Sequence, residues 1–179
     1  QFGQVKRMAL NSLDFARKPR LSRFMRLVSG DEIAGVQILS GNSTLLVLTS
    51  NGYATRFNEN DLSIFGLKAG GVKSVSGLGK NQTISLLAFD EEEKNKILIF
   101  TNKGHERVLD IGKVTSTPRL GKTTFIMPCF KSDQHRIVSA IKADNIIENN
   151  HLYLFLNDQT LFNYQLKDLY LTDLNKYAK

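Results

Sequence analysis

The chain repeats itself about every fifty residues, and this repetition limits its fold more than any other feature. Leu45-Leu46-Val47-Leu48-Thr49-Ser50-Asn51-Gly52, followed by Arg56, is matched by Ile97-Leu98-Ile99-Phe100-Thr101-Asn102-Lys103-Gly104, followed by Arg107. Both run as four apolar residues, Thr, a polar pair, Gly and then a basic residue, and the two Thr lie 52 positions apart. Gly3-Gln4-Val5-Lys6-Arg7 reads as the second half of the same motif. Leu152-Tyr153-Leu154-Phe155-Leu156-Asn157-Asp158-Gln159 reads as a degenerate copy, with Gln159 in place of Gly and Asn163 in place of Arg. A second block keeps the same period: Pro19-Arg20-Leu21-Ser22-Arg23 recurs 99 positions later as Pro118-Arg119-Leu120-Gly121-Lys122, with Leu67-Lys68-Ala69-Gly70-Gly71 midway. A repeat of this length is one supersecondary unit that buries its apolar face only by stacking on its neighbours.

Each motif has the chemistry of a β-hairpin. Four aliphatic residues bounded by turn formers describe a buried strand, and Ser-Asn-Gly or Asn-Lys-Gly supplies the positive φ of a tight turn. The return strand alternates, with Tyr53, Thr55 and Phe57 against Ala54 and Arg56. Each basic block leads into an apolar stretch (Phe24 to Val28, Val72 to Val75, Phe125 to Met127), a polar turn, and a further strand expected at Ile33–Leu39, Ile84–Phe89 and Ile137–Ile141. Short helical pieces are expected only near Leu10–Arg17, Asn60–Ile64 and from Leu166 onward. The fold class is therefore all-β, a propeller-like repeat of four-stranded blades of about fifty residues. It is read as a single domain over 1–179, with repeats at 1–32 (partial), 33–82, 83–135 and 136–179 (degenerate). The 179 residues hold between three and four such units, fewer than a closed propeller needs. Further blades before Gln1, or an incomplete or open ring, are expected, and a start at Gln1 rather than Met suits a piece of a longer protein.

Charge points to the ligand. There are 24 Lys and Arg against 17 Asp and Glu, a net +7, and residues 1–26 alone carry seven basic side chains against Asp14. A lopsided positive field attracts polyanions, nucleic acid first among them, although a merely soluble basic protein has the same composition. Other classes find little support. Cys129 is the single cysteine, so the chain holds no internal disulfide and no cysteine-based zinc site, which fits a reducing cytoplasm. No apolar run approaches the ~18 residues of a membrane span. His105, His135 and His151 lack metal-ligand spacing and read as surface or packing residues. Gly121-Lys122-Thr123 ends like a phosphate-binding loop, but Ser116 stands where its first Gly belongs. No Gly-x-Ser-x-Gly elbow or paired-carboxylate site appears, so no catalytic residue is assigned. Asp90-Glu91-Glu92-Glu93 is expected to be a solvated loop off the path of any polyanion. Phe24, Phe57, Phe125 and Phe155 are expected in the core rather than as base-stacking platforms.

The hairpin motif, together with Gly66-Leu67-Lys68-Ala69-Gly70-Gly71-Val72-Lys73, resembles the repeat in the C-terminal domain of the A subunits of bacterial type IIA DNA topoisomerases, over roughly residues 1–165. The resemblance implies a β-pinwheel, a propeller relative whose blades exchange strands. It implies duplex DNA as partner, bound around a basic rim and bent toward the enzyme core for strand passage, decatenation and supercoil relaxation. The catalytic tyrosine of that family lies in a separate N-terminal breakage-reunion domain, and none of the Tyr residues here matches it. That domain and the ATPase-bearing B subunit of the topoisomerase are the implied protein partners. No cofactor is expected in this domain, ATP and Mg being used by the parent enzyme, and the implied location is the nucleoid in the cytoplasm. The Gln-Arg-Arg-Gly-Gly-Lys-Gly heptad of gyrase is absent, which favours the topoisomerase IV counterpart over the DNA-wrapping domain of the gyrase A subunit.

The expected binding residues form two phased sets. The turn set is Arg20, Arg23, Lys68, Lys73, Arg119 and Lys122, whose small neighbours allow a phosphate close to the backbone. The hairpin set is Lys6, Arg7, Arg56, Lys103 and Arg107, of which Arg56 and Arg107 have a competing reading as structural residues paired with acids of a neighbouring blade. Arg17, Lys18 and Arg26 add to the N-terminal patch. The competing functions are a propeller used for protein–protein interaction, with an apolar or mixed face, and a hydrolase on a propeller scaffold.

Overall fold

The computed structural model describes residues 1–13, 23–90, 95–127, 134–143, 151–155 and 159–165. Eleven strands occur among them: β1 (Gln4–Val5), β2 (Thr44–Thr49), β3 (Tyr53–Asn58), β4 (Val72–Lys73), β5 (Thr83–Phe89), β6 (Lys96–Thr101), β7 (Glu106–Asp110), β8 (Thr124–Phe125), β9 (Ile137–Lys142), β10 (His151–Phe155) and β11 (Leu161–Gln165). Helical structure among the described residues is confined to three single 3-10 turns at Leu10–Ser12, Glu59–Asp61 and Ile111–Lys113. The short helical pieces expected near Leu10 and Asn60 are these turns, and the expected tail from Leu166 lies outside the described residues. The all-β β-pinwheel expectation holds.

Three of the four sheets among the described residues are built from more than one repeat, β10 and β11 pairing only with each other. The central sheet runs β5-β2-β3-β8 and the next β7-β6-β9, all antiparallel. The hairpin β2–β3 thus receives β5 from the following repeat on one side and β8 on the other. β1 receives β4 in the way that β3 receives β8. The β2–β5 register shifts at Leu48/Thr49 and the β6–β9 register at Phe100/Thr101, 52 residues apart in phase. Strand exchange explains the unbroken apolar runs. Leu46 and Leu48 enter the core shared with Phe89, Ile97, Ile99 and Ile137, whereas Leu45 and Val47 enter a second core with Val5, Phe57 and Leu62. A strand buried on both faces has no polar alternation to show.

The Thr of the motif closes the hairpin. Thr49 Oγ1 accepts from the Tyr53 amide at 3.1 Å, and Thr101 Oγ1 accepts from the His105 amide at 3.2 Å. Gly52 follows at φ +84°, and a Cβ there would stand 2.7 Å from the Met127 Cβ, so both the backbone and the packing require glycine. In the degenerate copy, β10 and β11 pair from His151↔Gln165 to Phe155↔Leu161, and Gln159 makes the turn at φ +67°. A side chain in that conformation costs about 1–2 kcal/mol. Gln159→Gly is therefore expected to raise stability by about 0.5–1 kcal/mol after the flexibility of an unfolded glycine is subtracted. Urea unfolding of the two chains checks this; an unchanged midpoint would show that the turn is relaxed by other means.

Two expectations need correction. Ile33–Leu39 forms no strand. Its counterparts β5 and β9 pair with the outgoing hairpin strands β2 and β6, whereas among the described residues no strand pairs with residues 33–39. The segment lies instead along β5, with Gln37 Nε2 donating to the Leu86 carbonyl at 3.0 Å. Phe24 and Phe125 are not core residues: they are 46% and 44% exposed, and the Phe125 ring meets Tyr53 at 5.0 Å across β3–β8. Phe57 is fully buried as expected, and the side chain of Phe155 lies outside what the structure describes.

Candidate nucleic-acid interface

The fold brings the basic loops of successive repeats edge to edge. The Arg26 amide donates to the Ala69 carbonyl at 3.4 Å, which lays residues 23–26 against the loop 66–71. That loop runs into β4, and Arg119 of the next repeat donates from Nη1 to the Lys73 carbonyl at 2.6 Å. The Arg119 amide is anchored on Asp61 Oδ2 at 3.3 Å. Arg23, Arg26, Lys68, Lys73 and Lys122 are exposed along this line, and Arg119 is half-buried among them. The turn set, apart from Arg20, is thus a continuous cationic band, with Arg26 part of it.

The hairpin set divides differently. Lys6 points its ammonium into three carbonyls, those of Phe24 (2.6 Å), Leu67 (2.9 Å) and Ala69 (3.1 Å). It ties the two basic segments together, and burial lowers its pKa from the ordinary lysine value. Arg7 pairs through Nη2 with Glu59 Oε1 at 3.0 Å and donates from Nη1 to the carbonyl of Glu59 at 3.2 Å. Arg56 repeats the contact one unit on, with Nη1 donating to the Ile111 carbonyl at 2.7 Å. Both guanidiniums grip the 3-10 turn of the following repeat. Backbone bonds from Phe65 N to Arg7 O and from Thr117 N to Arg56 O reinforce the seam at 2.8 and 2.9 Å. Arg56 thus meets the neighbouring repeat as its structural reading expects, but through a backbone carbonyl rather than an acid, and it is Arg7 that pairs with an acid there.

Arg107 is 1% exposed and cannot meet a ligand in solvent. It is also out of phase with Arg56. Arg56 faces Leu46 across its hairpin, and the residue facing the equivalent Leu98 is Val108; Arg107 faces Ile99, as Thr55 faces Val47. A displacement of one residue along a strand turns the side chain to the opposite face. Lys103 is exposed at the tip of the third hairpin. Arg17, Lys18 and Arg20 lie outside the described residues.

The sequence reading passed over Lys80 and Lys113, both exposed. Lys80 sits in Gly79-Lys80-Asn81, which reads as a turn, and nothing but its charge would have singled it out. Of the acidic run, Asp90 is described: its Oδ1 accepts from the hydroxyls of Ser40 at 2.7 Å and Ser43 at 2.8 Å, which holds its pKa below the ordinary value. The His105 and His135 rings lie 4.8 Å apart. Among the described residues no group of His, Cys, Asp and Glu is placed to hold a metal ion, and no helix is long and apolar enough to cross a membrane.

No family model matches the chain. It is 29% identical over 122 residues to the A subunit of DNA gyrase from Haloquadratum walsbyi, covering 68% of this chain and 14% of that one. It is 26% identical over 151 residues to the A subunit of DNA topoisomerase 4 from Staphylococcus epidermidis, covering 83% of this chain and 18% of that one. The chain thus spans less than a fifth of the length of these curated relatives. A solved C-terminal domain of DNA topoisomerase IV superposes with a TM-score of 0.85 at 22% identity, over 99% of this chain and 54% of that one. The homologues are A subunits of topoisomerase IV and gyrase, as the repeat motif implied.

Proposed function

We propose that this chain is a duplex-DNA-binding and DNA-bending accessory domain from the A subunit of a topoisomerase IV. In this role it presents DNA segments to the catalytic core for ATP-dependent strand passage, decatenation and supercoil relaxation. The carrying observation is the cationic band. Loops of successive repeats stand side by side, so five exposed cations and Arg119 follow one edge. Cations spaced along a rigid edge neutralise successive phosphates and position the duplex without reading its bases. On this reading the chemistry, with its ATP and Mg, belongs to the breakage-reunion domain and to the ATPase-bearing partner, which are its protein partners, at the nucleoid. Topoisomerase IV is preferred to gyrase because Gly66–Lys73 carries no basic-glycine heptad.

A salt series tests the proposal. If six cations each meet a phosphate, affinity for a linear duplex should fall about a thousandfold between about 50 and about 200 mM salt, with little preference among sequences. Binding that is weak and insensitive to salt would sink the DNA reading and favour a protein-interaction module, for which the exposed Tyr53–Phe125 pair is the specific feature.

A further inference from the structure

A second anion-binding feature lies beside the band. The loop between β4 and β5 faces the turn at Leu120 across an open hollow of about 550 Å³. Lys73, Ser76, Gly77 and Gly79 line it on the polar side, and Val75, Leu78 and Leu120 on the apolar side. Gly77 and Gly79 take φ of +68° and +58°, and neither has an atom within 4 Å of where a Cβ would stand. The conformation thus favours glycine although no neighbour crowds it, and the backbone is left open. The amides of Ser76, Gly77, Leu78, Gly79 and Lys80 donate to no group among the described residues. Five successive amides without a partner among the described residues, with Lys73 lining the hollow and Lys80 exposed next to it in the chain, give the loop the donors and charge that suit a phosphate.

The corresponding turn one repeat earlier is built differently. Leu78–Asn81 is closed by Asn81 N to Leu78 O at 3.0 Å, as Val28–Asp31 is closed by Asp31 N to Val28 O at 3.1 Å. The earlier turn ends in Asp31-Glu32, and the Asp31 carboxylate takes the amides of Phe2 and Glu32, both at 2.9 Å. The later turn ends in Asn81-Gln82, and the sequence has no Asp or Glu between Asp61 and Asp90. The first loop thus carries a carboxylate beside its turn, whereas the second carries none.

We propose that the hollow seats one phosphodiester of the duplex backbone, with the amides of Ser76–Lys80 and the ammonium groups of Lys73 and Lys80 on its oxygens and a deoxyribose against Val75, Leu78 and Leu120. The proposal rests on the DNA-binding reading and adds Lys80 and the loop amides to it. Arg119, bonded to the Lys73 carbonyl, makes the seat continuous with the band.

Amide shifts of the full chain, titrated with a short linear duplex, test it. The amides of residues 76–80 should move and saturate together with those of Lys68 and Lys122, and inorganic phosphate at equal concentration should not move them. The Lys73→Gln/Lys80→Gln pair should reduce the shifts at 76–80 and lower the salt slope of duplex binding by about 1.8, or affinity by about fiftyfold at about 0.1 M salt. If 76–80 stay still while Lys68 and Lys122 respond, the seat is wrong and the DNA reading stands. If no amide responds to duplex, both fall. If inorganic phosphate moves 76–80 as far as duplex does, the loop is a small-anion site and the duplex assignment is overturned.

Discussion

Reversing the charge at Arg23, Arg26, Lys68 and Lys122 together is expected to abolish duplex binding. All four side chains are exposed on the band, and none is among the residues that tie repeats together. Removing four phosphate contacts lowers the slope of log affinity against log salt by about 3.6, which at about 0.1 M salt is a loss of more than a thousandfold. The four introduced carboxylates repel the backbone further. Surface substitutions of this kind usually change stability by no more than about 0.5 kcal/mol each, so the variant should unfold close to the wild-type denaturant midpoint. Fluorescence anisotropy on a labelled duplex, with urea unfolding of the same samples, separates the two effects. A folded variant that keeps its affinity and salt slope would place the duplex elsewhere on the molecule.

Cutting the seam between repeats should have the largest effect on stability. The Glu59 side chain is fully buried and that of Arg7 only 19% exposed. Glu59 Oε2 has no hydrogen-bond partner among the described residues, so the carboxylate relies on Arg7. Arg7→Met alone should leave a buried charge uncompensated and cost about 3–5 kcal/mol. Arg7→Met/Glu59→Leu removes both charges and should recover much of that loss, because a buried ion pair contributes little beyond offsetting its own desolvation. The double-mutant cycle is read in urea, and the amide of Phe65, bonded to the Arg7 carbonyl, should exchange faster in the single variant. Additive losses would show that the two groups do not act as a pair. Arg7 and Arg56 are therefore poor sites at which to test DNA binding, since a loss of binding there would report a loosened seam.

The period was legible in the sequence because each hairpin must repeat the same local chemistry. Four apolar residues make a strand covered on both faces, Thr49 and Thr101 close the turn, and Gly52 takes a φ that other residues adopt only at a cost. These requirements are local, so they leave a mark on every copy, including the degenerate one, where Gln159 occupies the glycine conformation. The turn set was legible for the same reason, as cations beside small residues in phased loops. The expected strand at Ile33–Leu39 is not one because a strand depends on a partner as well as on its own residues, and among the described residues no strand pairs with it.

By itself the sequence determined the all-β repeat, its hairpins and which loops are basic, since turn geometry and apolar runs are properties of neighbouring residues. The tertiary structure alone decided which basic side chains meet solvent. Arg56 and Arg107 follow their glycines at nearly the same distance, yet pairing across the hairpin sets Arg56 opposite Leu46 and Arg107 opposite Ile99, on opposite faces. Lys6 and Lys68 read alike as rim cations, yet three carbonyls brought together from distant segments claim the first and leave the second exposed. Side chains alternate faces residue by residue along a strand, so a single step of register, fixed only when the strands pair, decides whether a cation is shut into the core or held at the seam between repeats.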